Sequence, residues 1–573
     1  MAVISESPVA GFRRRGFRID PWLLAAAPVA IAVAVPPLAV LWLAVTATDP
    51  AFALETPAAI WAHLLSTVLP GYAWTTVRLA AGVGVGTLVI GVATAWLVTV
   101  CRFPGRRVFE WALLLPMAMP GYIIAFLYIE LLEFAGPVQR ALRAVFGWHL
   151  VSDYWFPEIR SLGGAICMLT LVLYPYVFLL ARAAFIEQSV CALEVSRTLG
   201  RGPWRTFFSV AVPMARPSIV IGLALVMMET ISDFGTVSLF AVNSFTVGIF
   251  SVWLTMNSAA AASQLSLVLL AIVLGLLWVE RRARAGRRFH NLTTRMRPQL
   301  RMELRGTRAW LAALACAVPV VLGFVLPAGI LVYYAALTWL RHEGAEFLTY
   351  AGNSLMLAGI AASVTAVLGL LVAYGCRLRD DPLLRGLARV ASVGYAVPGA
   401  VLAIGILVPF GALDNAIDGF MRDRFGVSTG LLLSGTIFAL VYAYVARFFA
   451  LGYGAIEAGF GKVPASMDQA ARVLGHGPAA TLMRVQLPLV RGSVLTGALL
   501  VFVDSMKELP ATLLLRPFNF DTLATYVYQY AKDELIEQTG LAALAIVVAG
   551  VVPVILLSRT ITRFRAGIDS HGG

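Results

Sequence analysis

The sequence predicts an all-α polytopic membrane protein of about twelve transmembrane helices, built as two parallel six-helix repeats. Three observations predict it. Of 573 residues, 60% are hydrophobic and 13% charged, with mean hydropathy +0.83, whereas soluble domains carry roughly 25% charged residues. Apolar runs of bilayer length recur along the whole chain. One polar segment occurs twice: residues 197–226 align without gaps on 472–501, at an offset of 275, with 13 identities in 30 positions. Parallel duplication is a common transporter architecture.

Apolar runs of about 20 residues place helices near 22–45, 75–100, 109–133, 162–186, 217–240 and 260–279, then near 309–338, 353–376, 388–410, 429–454, 491–513 and 541–558. The first run follows Arg13, Arg14, Arg15 and Arg18. It is longer than the roughly 7–15 residues of a signal-peptide core, so it reads as a membrane helix. Runs holding Pro116 and Pro120 are tolerable if neighbours satisfy the freed carbonyls. Residues 280–308 carry ten arginines against two glutamates. Such a block resists translocation, so it is expected to be a cytoplasmic linker joining a first half, 1–279, to a second, 309–573. Six spans before it put the N-terminus, and with it the C-terminus, on the cytoplasmic side. The stretches 46–74 and 241–259 lack Lys and Arg and are expected outside.

The net charge of +13 is spread between apolar spans, the pattern of positive-inside topology rather than of nucleic-acid binding. Cys101, Cys167, Cys191, Cys316 and Cys376 have no metal-ligand spacing and are expected to be small buried apolar residues. The six histidines are scattered. No pairing of nucleophile and base supports a membrane-embedded enzyme.

The duplicated segments, 187–213 and 462–488, are expected on the cytoplasmic face between the fourth and fifth spans of each half. In each, a short helix is followed by a glycine (Gly200 or Gly475), then a second short helix opened by Pro203 or Pro478. The chain is expected to re-enter the membrane at Pro213 and Pro488. Two such surfaces suit docking; ordinary interfacial connectors are the alternative.

At this point the sequence resembles a family, the permeases of binding-protein-dependent ABC importers. Their pattern runs E-A-A, three residues, Gly, six residues, Phe, two residues, an aliphatic, one residue, an aliphatic and Pro. Glu194, Gly200, Phe207, Val210, Val212 and Pro213 fall on it in the first half; Ala470, Ala471, Gly475, Val485, Leu487 and Pro488 do in the second. Departures are Val195 and Ser196 for the alanines, Gln469 (beside Asp468) for the glutamate, and Leu482 for the phenylalanine. The resemblance implies a type I importer permease fold with these segments as coupling helices, each seated on a cytoplasmic ATPase. The chain has no G-x-x-x-x-G-K-[ST] phosphate loop. The resemblance therefore implies two copies of a partner ATPase that hold the ATP and Mg, with no cofactor on this chain. After each segment, "METISDFGTVSLFAVNSFTVGIFSVWL" and "VDSMKELPATLLLRPFNFDTLATYVYQYA" are similar to the fused two-half permeases of ferric-iron importers. This implies Fe(III) delivered by a periplasmic binding protein in a bacterial inner membrane. The same architecture serves thiamine and phosphonates.

At the same offset Glu229 aligns with Asp504, and Asp233 with Glu508; Lys507 lies beside the second pair. Spacing i, i+4 puts each pair on one helix face. Asp233, 16 residues beyond Pro217, would lie about 24 Å up the helix. Ionisable groups there face a cavity or one another. They are expected either to line the translocation path or gate, or to form an interhelical salt-bridge network or a cap near a helix end. No His or Cys joins them, so no firm metal site is expected. A secondary transporter with parallel halves also fits twelve spans, but it would not need two coupling segments.

Overall fold

The computed structural model describes residues 21–49, 56–187, 196, 202–284, 302–340, 346–379 and 381–569. Twelve helices are long and apolar enough to cross a bilayer. In the first half they are Trp22–Thr46, Leu69–Val100, Gly121–Phe146, Leu162–Ile186, Trp204–Ser232 and Ala259–Glu280. In the second they are Thr307–Trp339, Phe347–Leu378, Gly399–Phe425, Ile437–Phe460, Pro478–Met506 and Ile536–Ile555.

Proline chemistry shifts two spans from their expected positions. The third begins at Gly121 rather than 109, after a helix Arg106–Ala112 and a 3₁₀ turn Leu115–Ala118. It is itself interrupted between Leu132 and Pro137. The ninth begins at Gly399 rather than 388, after a helix Pro382–Ala391 and a 3₁₀ turn Gly394–Ala396. The residue before a proline is pushed out of the α region. Met119 and Val397 are accordingly extended, with ψ 115° and 121°, and Pro120 and Pro398 cap the helices that follow.

The second short helix of each coupling segment is not separate. It runs straight into the fifth or eleventh span through one π turn, Phe207–Ala211 or Leu482–Gln486. A third π turn, Val321–Val325, interrupts the seventh span. In all three the N–H just past the turn reaches five residues back, and a proline follows at once: Pro213, Pro488 or Pro327. A proline ring clashes with the carbonyl four residues earlier and brings no N–H to it. Widening one turn relieves both. Where carbonyls are still left over, tyrosines from other spans supply the donor. Tyr128 donates to Leu322 O at 2.7 Å. Tyr442 donates at 2.5 Å to Ala32 O, which Pro36 leaves without its helical partner.

The second, fourth and fifth spans pack together, as do the eighth, tenth and eleventh. The opening span of each half crosses over. The first packs against the eighth and ninth spans as well as the sixth; the seventh packs against the twelfth and touches the second and third. On the linker side, Cys101–Arg102 pairs in parallel with Met302–Glu303. Arg305 and Arg102 hold the Glu303 carboxyl below the usual carboxylate range through hydrogen bonds and charge. Cys101 and Cys316 are buried as expected and Cys376 is half-buried. Cys167 is exposed instead, on an apolar helix surface where lipid replaces protein; Cys191 lies outside the described residues.

Candidate functional site

The carboxylate cluster is assembled by helix ends. The fifth span stops at Ser232, and the eleventh at Met506. Asp233 and Glu508 therefore lie beyond their helices, not on a shared helix face with Glu229 and Asp504 as the spacing suggested. The cause is capping. Asp233 is extended (ψ 132°), and its carboxylate accepts from Thr236 Oγ1 at 2.9 Å and Val237 N at 3.1 Å. It thereby serves the start of a new helix, Gly235–Leu239. Glu508 Oε1 accepts from Ala511 N at 3.2 Å, at the start of Pro510–Leu515. A carboxylate that satisfies these first N–H groups stabilises the new helix and ends the old one.

All four carboxylates and Lys507 line one cavity of about 130 Å³ between the halves. Lys507 Nζ is 2.7 Å from Asp504. Arg447 Nη1 is 2.9 Å from Glu508, and both side chains are buried. Glu229 accepts from the Tyr395 hydroxyl at 2.7 Å. Arg447, Tyr395, Tyr122 and Tyr176 complete the wall and were not singled out in the sequence. Arg447 was detectable, because a lone arginine inside "LVYAYVARFFAL" is costly unless a cavity or partner receives it. The broken third and ninth spans begin at this cavity. A Cβ on Gly399 would strike Arg447 and Glu508, and one on Gly121 would strike Thr236, so glycine lets these helix starts close on the carboxylate caps. Below it lies an apolar cavity of about 220 Å³ that shares Tyr176, Tyr395, Asp504 and Lys507 with the first. Among the described residues no group of three His, Cys, Asp or Glu is gathered closely enough to hold a metal ion.

Of the first coupling segment, Glu194 and Gly200 lie outside the described residues. Ser196 is buried and 2.9 Å from Thr206. Phe207 is buried against Trp96, ring centroids 5.1 Å apart, so it anchors the segment to the second span. Pro213 and Pro488 are both exposed.

The second segment is described throughout. Helix Ala465–Val473 ends in a complete Schellman turn: His476 N reaches Ala471 O and Gly475 N reaches Arg472 O, both at 3.0 Å, with Gly475 at φ +80°. Gln469 and Ala470 are exposed while Ala471 is buried. The carboxylate that fixes the helix is Asp468, not the position of Gln469. Arg377, at the end of the eighth span, binds Asp468 at 2.8 Å and also donates to Phe460 O, Val463 O and Pro464 O. Gln486 closes on the other Asp468 oxygen, and Tyr374 donates to Pro478 O at 2.9 Å. Val473 and Leu474, 87% and 76% exposed, stand out from this anchored frame.

Gly475→Val isolates the backbone requirement. A Cβ there would meet nothing within 4 Å, so only the left-handed conformation is penalised, by about 1–2 kcal/mol. The expected outcome is a permease that stays folded in detergent, with at most a small loss of thermal stability, but with weakened association with its ATPase. Unchanged association, measured by co-purification, would remove the turn from any docking role.

Twelve spans in two equivalent halves, around a charged cavity and flanked by an anchored surface turn, define a membrane transport permease. The chain belongs to the binding-protein-dependent transport system inner membrane component family, which it matches twice, over residues 87–284 and 365–569. It is thus a multi-pass inner membrane protein and a transport component rather than an enzyme. An Fe(3+)-transport system permease protein of Haemophilus influenzae is 25% identical over 488 residues, 84% of this chain and 88% of that protein. A putative ferric transport system permease protein of the same organism is 24% identical over 461 residues, 76% and 69% of the two chains. A molybdenum transport system permease protein of Escherichia coli is 26% identical over 213 residues, 35% of this chain but 90% of that protein, the relation expected of a single half.

Proposed function

We propose that this chain is the membrane permease of an ATP-driven importer of ferric iron. The observation that carries the reading is the cavity between the halves, where four carboxylates face two cations. Similarity along most of the chain to an Fe(3+)-transport permease supports the choice of cargo. Two ATPase copies, which hold the ATP and Mg, dock on the segments 187–213 and 462–488, so both chain termini and the basic linker are cytoplasmic. On the second segment Val473 and Leu474 form the apolar contact and the Schellman turn at Gly475 sets its angle. Glu194, Gly200, Phe207 and Pro213 act likewise in the first, and Gln469, Ala470, Ala471 and Pro488 complete the second. A periplasmic binding protein delivers the iron.

Glu229, Asp233, Asp504, Lys507 and Glu508 line the translocation path. A bare trivalent ion cannot cross hydrocarbon, yet a dense ligand cluster would trap it. Carboxylates already engaged by capping N–H groups, a tyrosine hydroxyl or cationic side chains keep the path acidic without a tight site. Selectivity then resides in the binding protein. In a strain deleted for the permease gene, uptake of radiolabelled iron is expected to collapse while thiamine and phosphonate uptake persist. Unchanged iron uptake with loss of either other solute would reassign the cargo within the same permease class.

A further inference from the structure

We propose that Glu229 of the first half is the carboxylate that receives the permeant cation, and that Arg447 and Lys507 are built-in counter-ions that silence Asp504 and Glu508. The inference rests on the cationic cargo proposed above. At the offset of 275 the acids are duplicated but the cations are not. Arg447 corresponds to Val172 and Lys507 to Ser232, and all four positions line the same cavity. The second half thus contributes two carboxylates and two cations, a balance of zero. The first contributes two carboxylates and no cation, leaving two negative charges on one wall.

Those two are not equivalent. Both oxygens of Asp233 are engaged by Thr236 and Val237 in holding a helix start. Glu229 receives one neutral hydroxyl, from Tyr395, which an arriving cation can keep as a further oxygen contact. A second, independent feature lies in the same cavity, on its Glu508 side. The Tyr122 hydroxyl, on a residue 5% exposed, lines the cavity without a hydrogen-bond partner. It is a buried oxygen with no protein group to satisfy it. Arg447 and Lys507 both lie within electrostatic reach of Glu229. They would repel an ion held there, so its stay is short and passage inward is favoured.

The test uses the full permease reconstituted in vesicles with its ATPase and binding protein, scored by radiolabelled Fe(III) uptake. Glu229→Gln is expected to lower uptake by at least about tenfold, equivalent to losing one charged contact. Glu229→Asp should recover most of it. The double variant Asp504→Asn/Lys507→Gln removes a balanced pair from the same path and should lose severalfold less than Glu229→Gln. Co-purification with the ATPase checks that each variant is folded. An active Glu229→Gln, or equal losses from Glu229→Gln and the double variant, overturns this inference alone. A wild-type complex that carries no Fe(III) overturns the cationic cargo, and the inference with it.

Discussion

Replacing Arg447 by methionine will destabilise the folded permease by about 3–5 kcal/mol, because it leaves Glu508 ionised and buried without its partner. The pair is enclosed: 9% and 5% of the two side chains are exposed, at 2.9 Å. Glu508 cannot turn to water, since the same oxygen caps Pro510–Leu515 through Ala511 N. The double variant Arg447→Met/Glu508→Gln should regain most of the loss. A glutamine carbonyl still accepts from Ala511 N and brings no charge, and exchange of a whole buried pair is often close to neutral. Thermal unfolding in detergent of wild type, both single variants and the double forms the cycle. If Arg447→Met melts with the wild type, or if the double variant falls by the sum of the singles, the ion pair does not hold the cavity wall.

Arg377→Ala should uncouple hydrolysis from the membrane domain. One guanidinium ties the end of the eighth span to Asp468 and to three carbonyls of the turn that leads into helix Ala465–Val473. Its removal strands Asp468, which is buried and left with Gln486. A local penalty of about 3 kcal/mol would shift the docked arrangement of the helix by roughly two orders of magnitude. Solute-stimulated ATP hydrolysis by the assembled complex is expected to fall at least about tenfold while the permease stays folded. Arg377→Lys should rescue only in part, since an ammonium cannot serve four acceptors in one plane. Full stimulation in Arg377→Ala would show that the coupling helix needs no anchor on the eighth span.

The coupling turn was legible because it is local. Gly475, Pro478 and the short helices on either side of them obey rules of spacing between near neighbours, and the Schellman geometry follows from those residue types. The anchor was not singled out. The motif points to Gln469, but the helix face that turns inward carries Asp468, and only the approach of Arg377, 91 residues away, decides that. The acids were found for a similar reason. A charge in an apolar run is visible in one dimension, and so was Arg447, although its pairing with Glu508 was not.

What the sequence by itself determined is the class: twelve apolar spans, duplication at an offset of 275, the basic linker and the two polar segments. These follow from hydrophobic length, periodicity and turn chemistry, each a property of neighbouring residues. Tertiary structure decided the rest. It laid the first and seventh spans against the other half while each kept its packing on its own, and ended the fifth and eleventh spans before Asp233 and Glu508. It also brought Arg447 to Glu508, whereas Lys507 already lay beside Asp504 in the sequence. The physical reason is that a buried charge is stabilised by whichever opposite charge or hydrogen-bond donor packing brings within about 4 Å. For Arg447 and Glu508 that group lies 61 residues away, and for Glu229 and Tyr395, 166. Only the packed bundle fixes those distances.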